Sequence, residues 1–353
     1  MISTVIAKEL KFDPRSLRYT GIIGTGGIGS GKFFVLNGDH TLRREESRSG
    51  HFLDVIDYCK QHIILHYIKV LLGPSFSVIP VGKIGDDDIG QILYNEMTET
   101  GFVMNRVEKV PHVSTLFSFC FYYPDGSGGN LTTDNSASSQ VDDAYIETAV
   151  TEIEKFGTKG IIMAAPEVPL LARQKLLKLG KQHGLFCAAS FTTEEINYAL
   201  DAGIITNIDL ISINIDEASA VAGSFIDETN MTSIVQSAIQ KLQMRNKNIM
   251  VSITAGKQGS WCWDSNQMNI FPAIKTEATS TAGAGDAFFA GILCGLALGL
   301  HLFDAQQFAS LVAGLSVTSP HTIHKGVDRH SLYKFLHSSD LTFSEIIIKL
   351  LED

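Results

Sequence analysis

Short apolar runs rich in β-branched residues recur at 21–24, 77–81, 160–164, 185–189, 209–214 and 248–254. Longer stretches lie between several of them, as at 168–182 and 232–244, in which apolar residues return every three or four positions. The first pattern predicts buried strands and the second amphipathic helices. Their alternation predicts a parallel sheet with helices on both faces. Two regions break this rhythm: Phe33-Phe34-Val35-Leu36 leads into Asn37-Gly38, and the aromatic run 116–123 leads into Pro124-Asp125-Gly126. Asn-Gly and Asp-Gly after apolar runs predict hairpins. Such hairpins either decorate an edge of the main sheet or pair into a small sheet over a site, as a lid. On the second reading residues 33–43 and 113–133 form the lid. Residues 1–32, 44–112 and 134–353 then form one α/β core, a three-layer, doubly wound, mostly parallel sheet.

The longest apolar stretch, 287–303, is 17 residues long, contains His301 and is bounded by Asp286 and Asp304. A membrane span needs roughly 17–25 residues, so a buried helix is expected instead. Gly291, Gly295 and Gly299 recur every four residues and clear one helix face for close packing, at about 1 kcal/mol each relative to Ala. With 353 residues, 44% of them hydrophobic, the chain can bury a large core. Its 28 Lys and Arg against 38 Asp and Glu give a net charge of -10. Nucleic acid and anionic membrane surfaces are therefore not expected as partners, and any bound anion must be held by local amides or a metal ion. Five scattered cysteines without a C-x-x-C pair suit a reducing cytoplasm. The first 20 residues mix charges with short apolar pieces and lack the apolar centre of a secretion signal.

The segment Ser280-Thr281-Ala282-Gly283-Ala284-Gly285-Asp286-Ala287-Phe288 sets a small-residue turn, a helix start and a carboxylate side by side. Bare amides at a helix N-terminus favour anions. Asp286 can take a proton from a substrate hydroxyl while those amides hold the charge on a transferred phosphoryl group. The plainer alternative is an N-cap Asp behind a glycine turn. Asn214 closes an apolar strand ahead of Asp216 and Glu217, which either hold hydrated Mg²⁺ or only complement a helix dipole. Thr254, Gly256 and Gly259 close the next strand, in a turn that approaches a nucleotide's phosphates or merely reverses the chain.

Near the N-terminus, Gly24-Thr25-Gly26-Gly27-Ile28-Gly29 matches G-x-G-x-x-G, and 26–32 nearly matches a P-loop. Both motifs require a helix next, but the following residues read as a strand, and Phe33 stands where a P-loop needs Ser or Thr. Gly26 and its neighbours are read as a close approach to a small ligand or another strand.

Taken together, these positions resemble the ribokinase-like carbohydrate kinases, the PfkB family, over about residues 21–335. Residues 281–288 fit the signature T-x-G-A-G-D-x-F, and Gly50 with Asp54 resembles the sugar segment G-G-x-x-x-N. Residues 85–90 fit G-x-D-x-x-G, Asn214 and Glu217 fit N-x-x-E, and Thr254, Gly256 and Gly259 fit T-x-G-x-x-G. The resemblance implies a ribokinase-like fold with a β-lid, use of ATP and Mg²⁺, and a small sugar as acceptor, with nucleosides as the alternative. It implies Asp286 as general base and an anion hole at Gly283, Ala284 and Gly285. Asn214 and Glu217 would order Mg²⁺ through water, while Thr254, Gly256, Gly259 and Thr281, with segment 313–318, would line the ATP site. Gly26, Gly50 and Asp54 would meet the substrate. The exposed face of a small β-lid is a candidate homodimer contact, with the oligomeric state left open.

Three departures stand out. The Asp that family members carry near the end of the first strand would fall near Gly29, so that acceptor is missing. Asp54 replaces the sugar-segment Asn and is expected to take over hydroxyl recognition, although an ionised Asp only accepts. Ser280 replaces an Asp that helps hold a monovalent cation in some members, which leaves potassium activation open. Two other classes of function are open to this sequence: an NAD-dependent oxidoreductase built on 24–29, and a catalytically silent sugar-binding protein. Retention of Asp286 argues against the silent one.

Overall fold

The protein was analysed as a computed structural model that describes residues 7–125, 128–226 and 231–352. In chain order its strands are β1 (Gly21–Thr25), β2 (Gly29–Leu36), β3 (Gly50–Phe52), β4 (Asp57–Tyr58), β5 (Ser77–Gly85), β6 (Val107–Val110) and β7 (Leu116–Tyr122). They continue as β8 (Gly128–Thr132), β9 (Gly160–Ala164), β10 (Phe186–Ala189), β11 (Leu210–Asn214), β12 (Met250–Thr254), β13 (Ser260–Trp263) and β14 (Met268–Phe271).

The main sheet has nine strands in the order β14-β13-β12-β11-β10-β9-β1-β5-β6. From β12 to β6 every neighbour is parallel, while β13 and β14 add an antiparallel tail. Strand alternation divides the apolar residues between two cores. Ile22, Val78, Ile161 and Leu210 face helices Lys60–Leu72, Ala284–Ala297 and Leu302–Ser316. Their neighbours Ile23, Ile79, Ile162 and Ile211 face helices Leu170–Gln182, Thr193–Asp201 and Met231–Arg245. Helix–sheet–helix layering of this kind buries both sheet faces, which is why these strands read as continuous apolar runs.

Strand order reverses at β1, which lies between β5 and β9. The crevice beyond Thr25 and Ala164 is therefore the switch point at which open α/β sheets collect ligands. Hydrogen bonds from Ala165 N to Thr25 O (2.8 Å) and from Gly27 N to Pro166 O (3.0 Å) hold the two exits together. The residues after Gly24–Gly29 continue as β2 and not as a helix, so these glycines do not build a dinucleotide fingerprint.

β2 leads straight from this crevice into a second sheet, ordered β3-β2-β7-β8, with β4 also paired to β2. The expected two-residue hairpin at Asn37-Gly38 does not form, although Gly38 does turn with φ 97°. The antiparallel partners of β2 come later, at β3 and β4, and Asn37 N donates to Ser49 O (2.9 Å) to close the neck of a polar loop. The second hairpin is present as antiparallel β7 and β8; its Gly126 lies outside the described residues.

The long apolar segment is a helix, Ala284–Ala297, shorter than its apolar run. A Cβ on Gly291 would lie 2.5 Å from Ala309 Cα, and one on Gly295 would lie 2.6 Å from Ala305 Cβ, so both glycines seat the helix against Leu302–Ser316. Gly299 has another task, turning the chain after the helix with φ 81°. Among the described residues, no helix is long and apolar enough to cross a membrane.

Candidate active site

Helix Ala284–Ala297 begins at Gly283, whose φ of 79° suits glycine. A Cβ there would also lie 2.7 Å from Thr322 O. Ala284 N donates to Thr281 O (3.2 Å) and Ala287 N to Gly283 O (2.9 Å). Among the described residues, the intervening amides of Gly285 and Asp286 find no acceptor. Gly285 opens onto free space, with nothing within 4 Å of a Cβ built on it. The preceding loop is braced from behind. Thr279 N and Ser280 N both donate to Val317 O (2.8 and 3.2 Å), and Thr279 Oγ1 donates to Thr318 O (3.1 Å).

Asp286 lies on the wall of a cavity of about 390 Å³ between the small sheet and the main body. The cavity is lined from the small sheet by Phe33, Asp57, Ser118, Cys120, Tyr122 and Asn130, and from the main body by Lys60, Glu167, Ala282, Gly283 and Thr322. The Asp286 side chain is 14% exposed, and its Oδ2 lies 3.8 Å from Lys60 Nζ. Burial pushes its carboxyl above the usual Asp range, while the Lys60 ammonium pulls it back.

Three of these residues escaped the sequence reading. Asp57 sits on β4 opposite Gly31 of β2 and is buried. The Ser118 hydroxyl donates to its Oδ2, and the Cys120 thiol lies 3.7 Å from the same oxygen. Burial raises its carboxyl above the usual Asp range, while Ser118, Cys120 and Thr322 pull it back. Glu167 follows β9 at the switch point and carries a left-handed backbone, φ 77°, which costs a non-glycine residue about 1–3 kcal/mol. Its Oε2 accepts from Lys60 N at 3.0 Å, and burial lifts its carboxyl to about 7. Lys60 is the first residue of helix Lys60–Leu72; the Asp286 carboxylate, ahead of Glu167 and Glu217, holds its ammonium above the usual Lys range. The sequence signals were faint: a single acid inside the apolar run 55–59, a Lys at a helix start, and an acid between Pro166 and Val168 beyond a strand.

The nucleotide-side residues fall on adjacent strand ends, with Asn214 of β11 in register with Thr254 of β12. Asn214 caps helix Ile215–Ala222 in a reciprocal box: Glu217 N donates to Asn214 Oδ1 (2.9 Å) and Asn214 N to Glu217 Oε2 (2.7 Å). Asn214 Nδ2 donates to the other oxygen, Oε1 (3.1 Å). Burial raises Glu217 to about 7, and Lys60 and Asp286 both act on it electrostatically. Gly256 (φ 51°) borders open space, whereas Gly259 (φ 90°) turns the chain tightly past Ala273 N. Gly26 lies in the crevice beside Ala165 and Gln61, off the cavity wall. Gly50 lies on β3 against Phe34, and Asp54 is exposed; neither reaches the cavity. Among the described residues, no cluster of three or more His, Cys, Asp or Glu could hold a metal on its own.

Comparison with known proteins bears on this geometry. The sequence description of the pfkB family carbohydrate kinase matches residues 65–328. A ribokinase from Schizosaccharomyces pombe is 22% identical over 244 residues, covering 67% of this chain and 72% of that one. The structure of Arabidopsis thaliana ribokinase complexed with ribose and ATP superposes with a TM-score of 0.69 at 17% identity, over 92% of this chain and 100% of that one. A Burkholderia thailandensis nucleoside kinase in complex with inosine gives a TM-score of 0.68 at 14% identity, with 92% and 100% covered. The ribokinase-like arrangement expected from the sequence is thus the observed fold.

Proposed function

The chain belongs to the pfkB family of carbohydrate kinases, and from that premise we propose that it transfers the terminal phosphoryl group of ATP to a hydroxyl of a small sugar, with Asp286 as base and the turn at Gly283, Ala284 and Gly285 as anion hole. One observation carries this reading: the acceptor-free amides of Gly285 and Asp286 share one helical turn with the largely buried Asp286 carboxyl, which lines the cavity. The acceptor alcohol enters beneath the small sheet, where Asp57 and Glu167 can accept from its other hydroxyls. Asp286 takes the proton of the reacting hydroxyl. Burial makes it a stronger base than a solvated Asp, and Lys60 favours its ionised form. The amides of Gly285 and Asp286 donate to the oxygens on which charge collects, in a cavity that the small sheet of β2, β3, β4, β7 and β8 shields from water.

ATP lies along Thr254, Gly256, Gly259, Thr281 and the segment 313–318, with the open space at Gly256 admitting the nucleotide. Both Glu217 oxygens are taken by Asn214, so this pair suits a hydrated Mg²⁺ held through water and not a direct cage. Such an ion supplies charge neutralisation on the phosphates. Ser280 offers a neutral hydroxyl, already accepting from Ala282 N, so the reading does not require potassium.

A nucleoside is the second reading for the acceptor, favoured by the parallel stack of Phe33 and Tyr122 on the cavity wall (5.6 Å, 9°), which presents aromatic surface to a base. The outer face of the small sheet, with Phe52 and Leu131 60% and 62% exposed, is proposed to pair with a second copy of the chain. Five free cysteines fit a cytoplasmic location. The deciding experiment is ADP release by purified protein given MgATP and a panel of sugars and nucleosides. Turnover on a sugar is expected; turnover on nucleosides alone selects the second reading, and no release above the acceptor-free rate contradicts both.

A further inference from the structure

A second cavity, of about 710 Å³, lies outside the candidate active site, and His62 and His66 of helix Lys60–Leu72 line it. Neither lines the cavity at Asp286. Tyr58 stands between the two: it lines the first cavity, its ring meets His62 edge-on at 4.8 Å, and its hydroxyl donates to Glu96 Oε2 (2.9 Å) on the wall of the second.

Both imidazoles are nearly closed off, His62 at 1% exposure and His66 at 8%. Among the described residues neither ring has a hydrogen-bond partner, and His62 Nδ1 is also shut off from solvent. Buried polar groups are ordinarily paired, so two unpaired rings on one wall call for a ligand. Their spacing says which kind. Residues four apart share a helix face, an arrangement in which two imidazoles hold one metal ion. The ring centroids are 6.3 Å apart. Two imidazoles bound to one tetrahedral ion bring their centroids to about 5 Å, so a small side-chain rotation closes the gap. Burial also pushes both rings below the usual His range, His66 to about 4, which leaves their lone pairs free at neutral pH.

The surroundings admit a cation. Glu9, Glu96 and Glu99 line the same cavity against Lys69 and Lys325. Both lysines are already engaged: Lys69 Nζ donates to Phe76 O (3.0 Å), and Lys325 Nζ lies 3.3 Å from Glu96 Oε1. Among the described residues no third side chain completes a metal cage, so water has to fill the remaining positions, for which the cavity has room.

We propose that His62 and His66 form a two-histidine site for a transition-metal ion of the Zn²⁺ or Ni²⁺ type, with water as the other ligands. Imidazole favours such ions, whereas Mg²⁺ takes oxygen ligands. The site does not depend on the kinase reading. Because the two ligands sit one turn apart, the ion binds the folded helix in preference to the unfolded chain and so stabilises the protein.

Thermal unfolding of untagged, nucleotide-free protein tests this without added metal, with Zn²⁺, and with Zn²⁺ in excess Mg²⁺. Zn²⁺ is expected to raise the wild-type Tm by a few degrees, equally with Mg²⁺ present. His62→Gln, His66→Gln and His66→Phe are each expected to lose that rise, and a cooperative metal-free transition shows that a variant is folded. If His62→Gln does not fold, the two His66 variants decide. Co²⁺ gives a readout that needs no variant: a visible ligand-field spectrum without a thiolate charge-transfer band is expected. Such a band assigns the ion to a cysteine and overturns the proposal. So does a rise that survives in the folded variants, a rise that Mg²⁺ abolishes, or no rise in the wild type.

Discussion

Asp57 stands where a side chain at position 31 would stand: the two residues oppose each other across the β2–β4 ladder, and a Cβ on Gly31 would fall on the Asp57 carboxylate. The bare backbone of one strand thus makes room for an acid delivered by its neighbour. Ser118 and Cys120 both lie against one oxygen of this carboxylate, which lines the cavity. Asp57→Ala is therefore expected to raise the acceptor KM at least about tenfold, while Asp54→Ala, on an exposed residue, leaves it unchanged. Steady-state kinetics of both variants on one sugar checks this, and the opposite ranking returns recognition to Asp54.

Two glycines a few ångströms apart should respond oppositely to the same substitution. Gly285→Ala meets open space, so thermal unfolding is expected to be unchanged or slightly stabilised, while affinity for the imido analogue of ATP falls about tenfold or more. Gly283→Ala forces φ 79° on alanine beside Thr322 O and is expected to cost about 1–3 kcal/mol. Calorimetric melting of the pair checks both, and an intact nucleotide affinity in Gly285→Ala removes residue 285 from the anion hole.

Glu167 titrates at about 7 in the folded chain and from 4.5 when solvated, with burial as the main cause. The folded value is the raised one, so the stability this carboxyl contributes is fully present below pH 4.5 and lost as pH rises through about 7. Glu167→Gln cannot ionise, and its amide oxygen can still accept from Lys60 N. The wild type is expected to lose on the order of 1–3 kcal/mol more than Glu167→Gln between acid and mildly alkaline pH, followed by chemical denaturation. Parallel stability curves contradict the burial of this charge.

On the outer face of the small sheet, Phe34, Phe52 and Phe119 cluster with ring centroids 5.0–6.2 Å apart, and Leu131 continues the patch. If two copies meet there, Leu131→Asp is expected to convert a dimer to a monomer in light scattering. A wild type that is monomeric at all concentrations contradicts the contact.

The main sheet was legible because strands such as β1 and β9 are buried at every residue and so read as apolar runs. Asn214 and Glu217 were legible for a local reason, being a capping pair three residues apart. Asp57 and Lys60 were not. β4 has only two residues, too few for any periodicity, and becomes a strand only by pairing with β2. Glu167 owes its place to the strand reversal between β1 and β9, which no local pattern encodes. The Asn37-Gly38 signal did mark a turn, but the β2 partner is chosen by tertiary pairing beyond a polar loop.

Phosphoryl transfer in this site turns on the carboxyl of Asp286. Its most direct test is Asp286→Asn, an uncharged replacement of the same shape, measured for MgATP binding and for turnover on the acceptor found in the panel. Nucleotide binding is expected to persist while turnover falls about 10²-fold or more. Turnover equal to the wild type would contradict the account, because the proton of the acceptor would then leave by another route.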